Sequence, residues 1–204
     1  VRRHLVPLMT ITPLVPPRTT TTPPPARLAQ APRSGTGRPP RHPEANSLIS
    51  RALTSARIPT LLEPPGLSRD DASRPDGLTL IPWKHGRSMV WDFTCVDTLA
   101  PSHVANSSQG ASRTAEKAER RKSAKYAHLT DHIFVPVCLC VETYGSWGSE
   151  GLALVKEIGR RLSAVSGETR ATSFLIQSIS MAVQRGNATS ILGSLPQGSP
   201  LHEL

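Results

Sequence analysis

Every aromatic side chain of this 204-residue chain lies at or beyond Trp83, while 14 of its 20 prolines lie before residue 74. That division limits where a core can form. A segment rich in Pro and Thr, with runs such as Thr19-Thr20-Thr21-Thr22-Pro23-Pro24-Pro25 and no aromatic ring, buries too little apolar surface to offset the entropy of ordering it. Residues 1–73 are therefore expected to be disordered and to lack a packed core, with polyproline II character in places. A short helix around Asn46 to Ala56, where Leu48, Ile49 and Leu53 cluster, is the one interruption the pattern suggests. The remaining 131 residues suffice for one small domain, 74–195, followed by a loose Gly-, Pro- and Ser-containing tail, 196–204.

The positive charge is concentrated at the front. Residues 1–73 hold ten Arg against four acids, and residues 74–204 hold fourteen Lys or Arg against eleven acids. Such a basic segment can hold DNA or RNA non-specifically, although Arg-Pro-rich linkers are also often simply solvated. No run is long and apolar enough to span a membrane, and Pro7, Pro13, Pro16 and Pro17 interrupt any signal-peptide core. Three cysteines, Cys95, Cys138 and Cys140, do not suggest a disulfide framework. Cys138 and Cys140 share a strand face downstream of His128 and His132, which by residue type permits zinc. Buried thiols are the plainer reading.

Within the domain the pattern is α/β. Leu78 to Val90 reads as a hairpin around Lys84-His85-Gly86, taken as a three-residue loop. Ala111 to Leu129 reads as a helix with an exposed basic first half, its cluster Arg120-Arg121-Lys122-Lys125 fitting a solvated face. Ile133 to Val141 is the most apolar strand, fitting a central buried position except that Pro136 suggests a bulge or an edge. Gly145, Gly148 and Gly151 then lead into a helix from Glu150 to Val165. That arrangement can bind phosphate, or can be an ordinary flexible loop ahead of a helix. Gly167 fits the stop of that helix, and a last helix runs from Thr172 to Leu192, with Gly186-Asn187 as a candidate bend. The expected architecture is a small mixed sheet with flanking helices.

Two carboxylates bracket the hairpin. Asp76, in Arg74-Pro75-Asp76-Gly77, opens one strand, and Asp92, in Val90-Trp91-Asp92-Phe93-Thr94, sits in the next. A three-residue loop pairs Trp83 with Arg87 and sets Leu78 opposite Asp92. Asp76 then becomes a diagonal neighbour of Asp92 on the same face. Two converging carboxylates suit a divalent cation, and metal-dependent phosphodiester cleavage uses such pairs. The plainer alternatives are a turn residue after proline and an edge-strand charge.

Hairpin, helix, strand, helix, with Arg74-Pro75-Asp76, Asp92 and Lys125-Tyr126 in that order, resembles the restriction-enzyme-like PD-(D/E)XK endonuclease domain of site-specific non-LTR retrotransposons. Segments such as Val141-Glu142-Thr143 and Gln184-Arg185-Gly186-Asn187-Ala188 look similar to retrotransposon-derived reading frames. The resemblance covers about 120 residues and leaves residues 1–73 untouched. It implies a nuclease-like fold and hydrolysis of DNA in the nucleus. Asp76 and Asp92 would hold Mg²⁺ or Mn²⁺, with no small-molecule cofactor. Lys125, displaced from the strand position that Thr94 fills, would be the catalytic lysine, with Lys122 as its rival one turn earlier. Glu142 would be a further ligand or a surface carboxylate, Tyr126 a packing residue, and Arg74 a phosphate contact. The competing implication is an inactive retroelement remnant that at most binds nucleic acid.

Overall fold

The computed structural model describes residues 41–65, 67, 74–130 and 134–194. The chain is α/β, built on a four-stranded mixed sheet in the order β1-β2-β3-β4. Helix α1, Arg41–Ser55, leads into β1, Thr60–Leu62, then β2, Gly77–Thr79, and β3, Ser88–Val96. These three strands run antiparallel in sequence. A crossover follows through α2, Val104–Ser107, α3, Arg113–Lys125, and α4, Ala127–Thr130. It delivers β4, Phe134–Glu142, parallel to β3, and helices α5, Ser149–Ser166, and α6, Ala171–Leu192, complete the fold.

Strand alternation sends the two sets of β3 and β4 side chains to different layers. Met89, Trp91, Phe93, Leu139 and Val141 pack with Ile49 and Leu53 of α1, Leu154, Val155 and Ile158 of α5, and Ile179 and Val183 of α6. Val90 and Cys138 face the other way, against Tyr126 and Leu129. The expectation that residues 1–73 lack a core is therefore corrected from residue 41 onward. Ala45, Ile49 and Leu53 are fully buried, at helical spacing, and Ile58 continues the same core. An aliphatic stripe needs no aromatic ring to bury area. The remainder of that segment, and the tail 196–204, lie outside the described residues.

Strand β4 is an edge strand, not a central one. Its apolar run is explained by helices on both faces, and at the edge Pro136 sits opposite Val90 without breaking the ladder. The last helix passes Gly186-Asn187 unbroken. Gly167 ends α5 in the left-handed conformation at φ 76°, as its position suggested.

The glycine-rich segment before α5 is filled by the protein itself. Glu119 of α3 accepts hydrogen bonds from the N–H groups of Gly151 at 2.8 Å and Glu150 at 3.2 Å. A Cβ at Gly148 would lie 2.2 Å from that carboxylate, so a larger residue there would have to displace it. An internal anion thus occupies the helix N-terminus where an external phosphate was weighed. Burial pushes the Glu119 carboxyl above its ordinary range, and the two N–H donors offset only part of that. A carboxyl raised in the folded state adds stability that is fully present below its unfolded value of about 4.3 and is lost as pH rises through the folded value. Glu119→Gln is expected to flatten the fall of the urea midpoint with rising pH across that window. A residual slope is expected from Glu150, which burial also raises.

Candidate metal centre

The hairpin turn differs from the expected one, and the difference decides the site. Lys84 pairs with Arg87 around a two-residue turn, His85-Gly86, whose φ angles of 51° and 71° mark the type I′ geometry that glycine favours at its second position. A one-residue slip carried through the ladder would put Asp76 and Asp92 on opposite faces. The slip is not carried through. Strands β2 and β3 pair Leu78 with Val90 and Gly77 with Trp91, two residues away from the expected register. The irregular stretch 80–83 absorbs the difference, and a displacement of two preserves parity. Asp76 and Asp92 thus converge as direct rather than diagonal neighbours.

Asp76 lies just before β2, where its backbone N–H still bonds the Trp91 carbonyl at 2.9 Å. Its Oδ2 accepts the next ladder donor, the N–H of Phe93, at 2.7 Å. The side chain therefore replaces a backbone acceptor, which fixes it firmly. His42, in the first turn of α1, places Nε2 3.0 Å from the same oxygen. Asn46, one turn on, sits 3.4 Å from His42 Nδ1 and accepts a hydrogen bond from Trp91 Nε1 at 3.1 Å. With its carbonyl committed to the indole, Asn46 offers its amide protons to the ring, leaving the imidazole proton on Nε2 toward Asp76.

Asp92 has its own partners, both from the crossover helices. Lys122 Nζ donates to Oδ1 at 2.5 Å and the Tyr126 hydroxyl donates to Oδ2 at 2.6 Å. Both carboxylates are buried, Asp76 with 4% and Asp92 with 6% of its surface exposed. Burial alone would push Asp76 up, but hydrogen bonds from His42, the Phe93 N–H and Asn46 hold it below the ordinary carboxylate value. The Tyr126 hydroxyl is pushed up by burial, by its bond to Asp92 and by that charge, so it remains a donor.

One donor atom each from His42, Asp76 and Asp92 lie within 4.8 Å of one another. Two oxygens and an imidazole nitrogen at that separation can enclose one divalent cation, so the residues fit such a group. Among the described residues this is the one cluster of three or more His, Cys, Asp or Glu side chains with that geometry. The zinc alternative includes His132, outside the described residues. Cys138 and Cys140 are buried thiols, and burial pushes Cys138 up to about 12.

The lysine that reaches Asp92 is Lys122. Lys125 lies over the Tyr126 ring, 5.2 Å from its centroid, and is not the residue bonded to Asp92. Glu142 is neither ligand nor surface group. It is buried, and its Oε1 accepts the N–H groups of Thr114 and Ala115 at 2.9 and 3.2 Å, anchoring the start of α3. Arg74 pairs with Glu63. Tyr126 packs the crossover against the sheet, as expected, but also orients Asp92. His42 was missed because it falls in the segment read as coreless. Its signal was the His42-Asn46 spacing of four just ahead of an aliphatic stripe. No protein-family model matches the chain and no curated protein matches it, so the endonuclease resemblance rests on the chain's own residues.

Proposed function

We propose that the chain is a metal-dependent DNA endonuclease-like domain derived from a non-LTR retrotransposon, with His42, Asp76 and Asp92 holding Mn²⁺ or Mg²⁺ and Lys122 as the catalytic lysine. The convergence of those four side chains carries the reading. The order of hairpin, crossover helix, parallel strand and helix supports it, being the order the resemblance implies. An imidazole in the donor set suits Mn²⁺ better than Mg²⁺, which prefers oxygen throughout.

A cation bound there supplies Lewis acidity toward a phosphodiester oxygen and lowers the pKa of a water it holds. The chain's own groups do the rest. Asp76, kept ionised and clamped by the Phe93 amide, is a rigid ligand. Tyr126 fixes the plane of the Asp92 carboxylate. Lys122, a quarter exposed, is placed to meet negative charge developing on the phosphate. His42 can ligate through Nε2 only in the tautomer that carries its proton on Nδ1.

The inactive-remnant reading draws on one observation. Lys122 is ion-paired to Asp92 and His42 Nε2 lies 3.0 Å from Asp76, so each carboxylate already has a partner without a cation. Incubation of supercoiled plasmid with the protein and Mn²⁺ or Mg²⁺ separates the two. The nuclease reading expects nicking that stops with chelator. It also expects Lys122→Ala to slow nicking by about 10²–10³-fold, the usual cost of one charge-stabilising donor. Lys125→Ala should change it far less. Plasmid left intact with either cation decides for the remnant.

A further inference from the structure

A groove of about 580 Å³ runs between α3 and the C-terminal half of β3. Helix α3 lines it with Lys117, Arg121, Lys122 and Lys125, and His103 also lines it. Asp97 is the one carboxylate in the lining. Lys117 and Arg121 are exposed, and among the described residues neither has an ion-pair partner. Lys117 and Arg121 stand at i and i+4, about 6 Å apart along the helix axis. Like charges at that spacing repel, which costs helix stability unless a polyanion lies along them.

The groove does not end blindly. Lys122, Thr94 and Cys95 also line a smaller cavity of about 210 Å³, whose other walls include Arg41, His42 and Phe93. A row of cations therefore leads to Lys122, which bonds Asp92, and past it to His42, which lies against Asp76.

We propose that this groove binds the sugar–phosphate backbone of one nucleic-acid strand, with Lys117 and Arg121 meeting successive phosphates on the way to Asp92. The proposal rests on the nuclease reading for its destination, but its binding step needs no metal. The chemistry is that of consecutive phosphodiesters, supplied by a single strand or by one strand of a duplex. It assigns the polyanion contact to α3, where the sequence alone suggested only a solvated face.

The test is fluorescence anisotropy in chelator, so that cleavage plays no part, with labelled single-stranded and duplex oligonucleotides over a series of salt concentrations. Lys117→Ala/Arg121→Ala is compared with Arg160→Ala/Arg170→Ala, which removes the same charge from exposed side chains paired to Glu157 and Glu168. The groove variant is expected to bind more than tenfold more weakly. Its log–log salt slope should flatten by about 1.4 on single strands or about 1.8 on duplex, two phosphate contacts' worth. The control pair should bind within twofold of wild type. Weakening on one oligonucleotide type or on both supports the groove and identifies its strand source. Equal weakening by the two double variants, or an unchanged slope in the groove variant, overturns it. Failure of nicking with groove binding intact would count against the nuclease reading alone.

Discussion

Asp92→Asn is expected to abolish metal-dependent nicking while leaving the domain folded, and Asp92→Ala to abolish nicking and also destabilise the fold. The asparagine keeps an oxygen for Lys122, and its amide can donate to the Tyr126 oxygen once the hydroxyl turns. What it loses is the charge that makes Asp92 a cation ligand. The alanine leaves the Lys122 ammonium and the buried Tyr126 hydroxyl without Asp92, costing about 1–3 kcal/mol for each unmet group. Urea unfolding beside a plasmid assay checks both halves. Nicking by Asp92→Asn at the wild-type rate would remove Asp92 from the chemistry.

The second large effect concerns α1. Ile49→Ala or Leu53→Ala is expected to cost about 2–5 kcal/mol, because each side chain is fully buried among α5, α6 and the sheet. Against a typical domain stability of about 5–15 kcal/mol, the double variant should be largely unfolded. A chain beginning at residue 74 should show no cooperative unfolding transition. It should also fail to nick DNA, since it lacks both the helix that closes the core and His42. Were residues 1–73 coreless throughout, their removal would leave the chemistry intact. Thermal unfolding followed by circular dichroism distinguishes them.

Strands β3 and β4 and helices α5 and α6 were legible because each carries its own apolar pattern and punctuation, and α3 was legible from its Ala, Glu, Lys and Arg content. Pro136 and Gly167 showed their meaning at the level of a single residue. The helix at 41–55 was legible in part, as 46–56, but its place in the core was hidden by averaging. Its aliphatic stripe is short, and a count of prolines and aromatics across 73 residues drowned it. The two aspartates were legible as a pair, but their register was not. Hairpin register depends on how residues 80–83 bend, and no spacing rule counts an irregular stretch. Lys122 and Lys125 were inseparable in sequence, since both precede Tyr126 on one helix. Only the packing of α3 against β3 decides which ammonium meets Asp92. The roles of Glu119 and Glu142 were hidden because their partners are backbone N–H groups at helix starts, which leave no mark in composition.

The central claim is that His42, Asp76 and Asp92 form one cation site. The most direct measurement is a Mn²⁺ titration of the full chain followed by electron paramagnetic resonance, with wild type beside Asp76→Asn. The account predicts one saturable site in wild type. Its affinity should fall in Asp76→Asn by more than the roughly 10–100-fold that losing an outer-shell partner costs. Equal Mn²⁺ affinity in the two proteins would contradict it.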